Sequence, residues 1–344
     1  MKHYTIPIFV PHLGCPCQCS FCNQKVITGV LKMTPDRAKC LIEEHLDTIP
    51  FAATAEIAFF GGSFTAIDRE QMEALLQVAQ PYLTSGRVSS IRISTRPDAI
   101  DPAILRLLAQ YGVKTIELGI QSMSDKVLAA CNRGHTANDS SKAAALILEH
   151  GFVLGGQMMV GLPSSCAKDE LQTAKAIIQM GAQEVRIYPV VVFANTPLAK
   201  ETACGLYQPL SVSEAVERIA PLLDCFIEAK RRILRIGLCE SEALHDPNGV
   251  IGGANHPAMG ELCYSALYKN RITQQLSLLA VPPLSNLNIS VAPGKLSMAI
   301  GQKRRNYIAI QDEFHPANLK FAEDPALVDF QVRVDLLSAT KGSS

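Results

Sequence analysis

The chain has 344 residues, 48% hydrophobic and 19% charged, with 32 basic and 32 acidic side chains. That is the composition of an ordinary globular chain, long enough for one large domain or a large domain plus a small one, and its balanced charge excludes a global pull toward nucleic acid. No apolar run reaches membrane-spanning length, and the opening MKHYTIPIFVPHLGC, broken by Pro7 and Pro11, is no signal peptide, so a cytosolic protein is the default expectation.

In chain order, strand-like runs fall near Thr5–Val10, Glu56–Gly61, Ser90–Thr95, Thr115–Ile120, Phe152–Val160 and Glu184–Val192. Helical segments separate them, and their punctuation is legible. Thr34 with Pro35, and Asp101 with Pro102, are N-cap and first-turn pairs; Gly112, Gly151 and Gly181 stand where helix C-caps belong. Strands alternating with helices call for a parallel sheet with right-handed crossovers. Wound one way, such a sheet closes toward a (β/α) barrel; reversed, it becomes doubly wound.

The unusual residue groups favour the barrel. A cysteine loop follows the first strand, GGSFT the second, STRPD the third, GIQS the fourth, VGLP the fifth and YPVVVFANTPL the sixth. Barrel enzymes build their sites at the C-terminal ends of several strands, whereas doubly wound sheets concentrate binding at one switch point. The expected fold is therefore α/β, an open six-stranded (β/α) partial TIM barrel over residues 1–205. A connecting helix is expected over 206–239, from LSVSEAVERIAPLLDCFIEAKRRILRIG, with Pro221 as a candidate break. A small α+β C-terminal part is expected over 240–344, with a hairpin about Pro293-Gly294 and a frayed ATKGSS tail.

The chemistry concentrates in CPCQCSFC, which holds four of the eleven cysteines, Cys15, Cys17, Cys19 and Cys22. A reducing compartment opposes a disulfide framework. The other seven, Cys40, Cys131, Cys166, Cys204, Cys225, Cys239 and Cys263, lack metal-ligand spacing and read as small buried hydrophobes. Structural zinc usually draws on two separated pairs of ligands, and no second pair occurs. Three thiolates on one loop can instead bind three corners of a [4Fe–4S] cube, leaving one iron open to a small chelating ligand. Cys15, Cys19 and Cys22 have the C-x3-C-x2-C spacing that does this for S-adenosylmethionine, with the aromatic Phe21 before the last cysteine. Cys17 falls inside the three-residue gap.

At these residues the chain resembles the radical SAM superfamily. The resemblance implies that Gly61-Gly62-Ser63 receives the methionine ammonium of S-adenosylmethionine. GIQS followed by Arg133 looks like the pattern of oxygen-independent coproporphyrinogen oxidase, which implies Gln121 at the ribose and Arg133 at the methionine carboxylate. An arginine's planar fork suits a carboxylate. Ser94 and Gln157 stand where that family often has a glutamate and an aspartate. FFGGSFT, STRPD, IELGIQS, NRGHT and VRIYPVVVFANTPL are similar to the radical SAM domain of the Elongator catalytic subunit, which modifies wobble uridine in tRNA. Nothing here resembles that subunit's acetyltransferase domain, so its acetyl-derived chemistry does not carry over, and the likeness is to a stand-alone bacterial relative.

The resemblance implies reductive cleavage of S-adenosylmethionine to a 5′-deoxyadenosyl radical that abstracts hydrogen from a substrate. It also implies an external one-electron donor such as flavodoxin or ferredoxin. RNA is the favoured substrate, helped by two basic runs, AKRRILRIG and GQKRRN, which otherwise read as solvated faces. The alternatives are a radical enzyme on a tetrapyrrole-like small molecule or a peptide, and a non-enzymatic iron–sulfur protein. Arg96 and Asp98 could pair at the barrel rim, Tyr188 could be core or site, and His256 could be structural or serve a substrate or an intersubunit contact.

Overall fold

The computed structural model describes residues 3–10, 18–23, 33–239, 244, 246 and 249–337. His12, Cys15, Cys17 and the ATKGSS tail lie outside the described residues. The chain forms two compact units, Met1–Ser211 with Cys225–Asn255, and Val212–Asp224 with His256–Ser344.

In the first unit, strands β1 (His3–Val10), β2 (Thr54–Gly61), β3 (Ser90–Thr95), β4 (Val113–Gln121), β5 (Val153–Val160) and β6 (Glu184–Pro189) pair in parallel in chain order. β7 (Val191–Phe193) pairs antiparallel with β9 (Val250–Gly253), and β8 (Arg232–Ile236) extends the main sheet beyond β6. The sheet never reverses, so it curls into a half-barrel. Helices α1 (Pro35–Thr48), α2 (Arg69–Thr84), α3 (Pro102–Gln110), α4 (Asp125–Ala130), α5 (Ala137–Glu149), α6 (Ala167–Gln179) and α7 (Pro197–Ala203) lie between or after these strands. Their caps form as the sequence suggests: Thr34 Oγ1 accepts from Arg37 N at 3.2 Å, and the Asp101 carboxylate from Ala103 N at 2.7 Å.

Strand alternation positions the site. Ile6 and Ile8, Ile57 and Phe59, Ile91 and Ile93, and Ile116 and Leu118 are fully buried on one face. The intervening positions, among them Glu56, Arg92, Ser94, Glu117, Gln157 and Arg186, meet one another on the other face. The glycines of β5 show both sides: a Cβ on Gly156 would meet Ile177 of α6 at 2.8 Å, and one on Gly155 would meet Glu117 at 2.9 Å.

The six expected strands are joined by a seventh. The expected helix over 206–239 ends early: α8 (Val212–Glu228) runs through Pro221, and Arg232–Ile236 becomes β8. Lys230 takes the left-handed conformation, φ 55°, where a glycine would have signalled the stop. Arg232 then lies opposite Glu184 and pairs with it.

In the second unit, α9 (Met259–Leu278) is followed by β10 (Asn286–Val291), α10 (Leu296–Ile300), α11 (Arg305–Phe314), β11 (Asn318–Glu323) and β12 (Val332–Leu337). The sheet order is β11-β10-β12, parallel on one side and antiparallel on the other. Tyr268, Ile272, Leu276, Leu287, Ile289 and Val291 anchor its core. The expected hairpin about Pro293-Gly294 is absent; the chain leaves β10 into α10 instead. Leu-Ser-Met-Ala-Ile is too short for a period of two to be told from a helical turn.

The scattered cysteines also depart from expectation. Cys131 and Cys263 are buried, but Cys40, Cys166, Cys204 and Cys239 are exposed. Cys166 occupies the N-cap of α6 with its thiol 3.0 Å from Asp169, and Cys204 the C-cap of α7. These helix ends are surface positions, which override the burial habit of a small thiol.

Candidate active site

At the C-terminal ends of the strands lies a cleft of about 540 Å³. Phe21, Cys22, Gly61, Gly62, Ser63, Ser94, Gln121, Arg133 and Gln157 all line it, so nearly every residue singled out from sequence meets there. Cys19 is buried and touches the cleft-lining Arg133, and Cys15 lies outside the described residues.

The cysteine loop is fastened from several sides. Cys22 N donates to Cys19 O at 3.1 Å, closing the turn that carries Phe21. Ser20 N donates to Cys131 O at 3.0 Å, and Leu198 N at the start of α7 donates to Ser20 O at 2.9 Å. Asn132 Nδ2 reaches Gln18 O at 3.1 Å. Burial, then the proximity of Cys19, pushes the Cys131 thiol up to about 12, so this neighbouring cysteine stays protonated.

The glycine pair follows from a close backbone approach. Gly61 has φ 110°, and a Cβ there would stand 2.8 Å from Val10 O, while Gly62 N donates to that same oxygen at 2.8 Å. Ser63 Oγ is hydrogen-bonded to Thr95 at 2.9 Å and accepts from Arg96 N at 3.1 Å. The Arg96–Asp98 pair exists as a two-pronged fork, both contacts at 2.8 Å, and Arg96 Nη2 also donates to Arg133 O at 2.7 Å. Burial opposes the charge on Asp98, but the fork outweighs it and holds the carboxyl below its usual range.

Arg133 is only 8% exposed. Its Nη1 lies 3.4 Å from Cys19 Sγ and its Nη2 donates to Gly119 O at 2.8 Å, while Nε has no partner among the described residues. Gly119 makes this possible, since a Cβ there would stand 2.8 Å from Nη2. Gln121, held at φ 65°, leaves Oε1 buried and, among the described residues, unpartnered on the same wall. Among the described residues no carboxylate pairs with Arg133. A buried guanidinium that meets no carboxylate among the described residues can donate to a carboxylate-bearing ligand, the orphaned amide oxygen of Gln121 can accept from a hydroxyl, and Cys19 and Cys22 beside them fit a thiolate-held cluster.

Beneath the cleft lies a charged floor that the sequence reading missed. Arg92 meets Glu56 at 2.9 Å, Glu117 at 2.9 Å and Glu184 at 2.5 Å. Arg186 meets Glu117 at 2.8 Å and lies over the Phe60 ring at 5.0 Å. Burial works against each charge, yet the partners win, so Arg92 and Arg186 are raised and Glu56 is lowered from their ordinary values. Gln157 Nε2 donates to Glu117 at 2.8 Å and to Ser94 Oγ at 3.1 Å. Because a carboxylate only accepts, the amide of Gln157 must turn its nitrogen to Glu117. The signal was present in sequence as one charge in each of EIAFF, SIRIST and TIELGI and two in EVRIYP, always at positions alternating with the buried aliphatic residues. Tyr188 and Cys239 also line the cleft. His256 serves locally, its Nδ1 accepting from Ala258 N at 3.0 Å.

A one-way-wound parallel half-barrel with its site at the strand C-termini is the partial TIM barrel of radical SAM proteins. Residues 9–177 match the Radical SAM superfamily and residues 182–269 the Radical_SAM C-terminal domain; the chain belongs to the radical SAM superfamily. It is 27% identical over 223 residues to an uncharacterized protein of Methanocaldococcus jannaschii, covering 63% of this chain and 65% of that one. It is 25% identical over 239 residues to the tRNA uridine(34) acetyltransferase of the same organism, covering 63% of this chain and 43% of the relative. The chain thus spans less than two-thirds of either relative. Among solved structures, Elp3 of Methanocaldococcus infernus superposes with a TM-score of 0.61 at 20% identity, covering 78% of this chain and 63% of that one.

Proposed function

We propose that this protein is a radical SAM enzyme acting on RNA, with a [4Fe–4S] cluster on Cys15, Cys19 and Cys22 and S-adenosylmethionine beside it in the cleft. The observation that carries this reading is Arg133, buried without an anion among the described residues, its fork shared between Cys19 and the cleft wall. Cluster and S-adenosylmethionine together supply a one-electron reductive cleavage that yields a 5′-deoxyadenosyl radical for hydrogen abstraction. The chain's own residues bind, orient and exclude water. Arg133 takes the methionine carboxylate, the Gly61-Gly62-Ser63 backbone the ammonium, and Gln121, Ser94 and Gln157 the nucleoside. Phe21, Phe60 and Met159 line the cleft with apolar surface that keeps water from a reactive intermediate. The one-electron donor is a flavodoxin or ferredoxin. RNA is favoured over a tetrapyrrole or peptide substrate by the tRNA-modifying relative.

The test is anaerobic EPR of the reconstituted, reduced protein with and without S-adenosylmethionine. A [4Fe–4S] signal that shifts on addition and survives Cys17→Ala is the expected result. A signal indifferent to S-adenosylmethionine, or one abolished with Cys17, means a fourth protein ligand closes the cube and the enzyme reading fails. For the substrate, RNA affinity that falls steeply with salt is expected, and its absence turns the search to small molecules.

A further inference from the structure

The second unit carries a cavity of about 740 Å³ of its own, between α9, α11 and the start of α8. Lys269, Gln302, Lys303 and Arg305 are among its lining residues. Its rim is the turn Gly301–Arg305, in which Gln302, Lys303, Arg304 and Arg305 are all exposed. None of Lys269, Lys303, Arg304 and Arg305 forms an ion pair among the described residues. Arginines elsewhere in this unit do: Arg271 pairs with Asp224, and Arg333 with Asp324 and Asp335.

The turn is held in shape rather than loosely displayed. Lys303 and Arg304 are consecutive left-handed residues, φ 52° and 60°, a conformation that side-chain-bearing residues rarely adopt in succession. Gly301, φ 82°, lies against Ser265 and Asn306, and the buried Asn306 amide donates to Ser265 O at 2.8 Å and Ala299 O at 3.0 Å. This fixed frame aims three adjacent cations outward. The Arg304 guanidinium stacks over the Tyr307 ring at 4.1 Å, and Tyr307 leans in turn on Phe321. Cations interleaved with an aromatic plate, beside a recess of mixed polar and apolar lining, are what a ribose-phosphate chain with an unstacked base requires. Glu217 and Asp312 also line the cavity, whereas the charged residues of the turn itself, Lys303, Arg304 and Arg305, are all cations.

We infer that the turn Gly301–Arg305, with Lys269 and Tyr307, is an RNA-binding site of the second unit, taking backbone phosphates on its cations and a base on the Arg304–Tyr307 stack. The inference rests on the reading of RNA as the substrate. An acidic protein partner would use the charges but has no need of the stacked plate or the recess.

The experiment measures binding of an unmodified tRNA transcript to the full-length reconstituted protein over a range of salt. It compares wild type, the triple variant Lys303→Glu/Arg304→Glu/Arg305→Glu, Tyr307→Leu, and a charge-matched control, Lys39→Glu/Lys114→Glu/Lys142→Glu. The first triple variant is expected to bind more than tenfold more weakly. Its salt slope should be shallower by about two, since each phosphate that no longer meets a cation takes about 0.7 from the slope. Tyr307→Leu is expected to weaken binding about tenfold with the slope unchanged, as stacking is not a charge effect. Uncoupled cleavage of S-adenosylmethionine is expected to match wild type in every variant. If wild type does not bind RNA, this site and the RNA reading fall together. If wild type binds and the first triple variant binds equally, or if both triple variants weaken alike, the site is overturned while the RNA reading stands. Unchanged RNA binding with slower turnover under flavodoxin but not under dithionite also overturns it, assigning the surface to an acidic electron carrier.

Discussion

Two buried arginines of the barrel teach opposite lessons. Arg92, 3% exposed, is surrounded by Glu56, Glu117 and Glu184; Arg133, 8% exposed, meets a thiol and a carbonyl and, among the described residues, no carboxylate. Both sit at comparable burial, so desolvation weighs on both. The floor answers that penalty within the chain, whereas the rim leaves it for a ligand to answer. A closed charge network belongs to the scaffold, and an open one marks the site.

The sharpest way to break this contrast is to exchange the two effects. Arg92→Met leaves three carboxylates crowded without their common cation, and a stability loss of about 3–5 kcal/mol is expected in urea denaturation. Arg133→Met should leave fold stability within about 1 kcal/mol, while S-adenosylmethionine binding, read by equilibrium dialysis, weakens by about 2–3 kcal/mol, or roughly a hundredfold. Should Arg133→Met unfold the protein and Arg92→Met spare it, the assignment of the two regions is reversed.

A pH profile sharpens the comparison at the rim. Burial, then the charge of Arg133, lowers His135 from its ordinary value to about 4, and its Nδ1 is buried without a partner among the described residues. Between that value and about 6.5 the unfolded chain binds a proton that the folded chain does not. The contribution of His135 is therefore complete above about pH 6.5 and is lost as pH falls toward 4. The expected loss is about 2 kcal/mol, measured as the urea midpoint of wild type against His135→Gln, whose profile should be flatter over that window. Glu56 and Asp98, both lowered, add losses of the same sign at lower pH in both proteins.

The smallest expected effect comes from the glycine that makes room for the rim arginine. Gly119→Ala places a methyl 2.8 Å from Arg133 Nη2 and must displace the fork. S-adenosylmethionine affinity should drop about tenfold with the cluster's absorbance retained, because misplacement of a positioning group by an ångström is felt at this scale.

Much of the cleft's lining was legible in the sequence, because unusual residue types at particular spacing stand out at strand ends. Cys19 and Cys22 on one loop, Gly61 and Gly62 after β2, Gln121 at the end of β4 and Arg133 just beyond α4 each stood out by residue type and spacing, and all but Cys19 line the cleft. The floor was not legible in the same way. Glu56, Arg92, Glu117 and Glu184 stand up to 128 residues apart, and one charge in an apolar strand says nothing of its partner until the register is known. β8 was hidden for a local reason, a helix stop on Lys230 rather than on glycine.

By itself the sequence determined the alternation of strands and helices, the capping positions, and the cysteine, glycine, glutamine and arginine motifs at the strand ends. These depend on periodicity and local backbone preference, which neighbours along the chain settle between them. Only the tertiary structure decided that the sheet winds one way through a seventh strand, that Arg92 is ringed by carboxylates and Arg133 is not, and that the Gly301–Arg305 turn holds its cations side by side at a cavity rim. Each of these turns on which distant side chains become neighbours, and a pairwise electrostatic or packing energy exists only once the fold has set the distance.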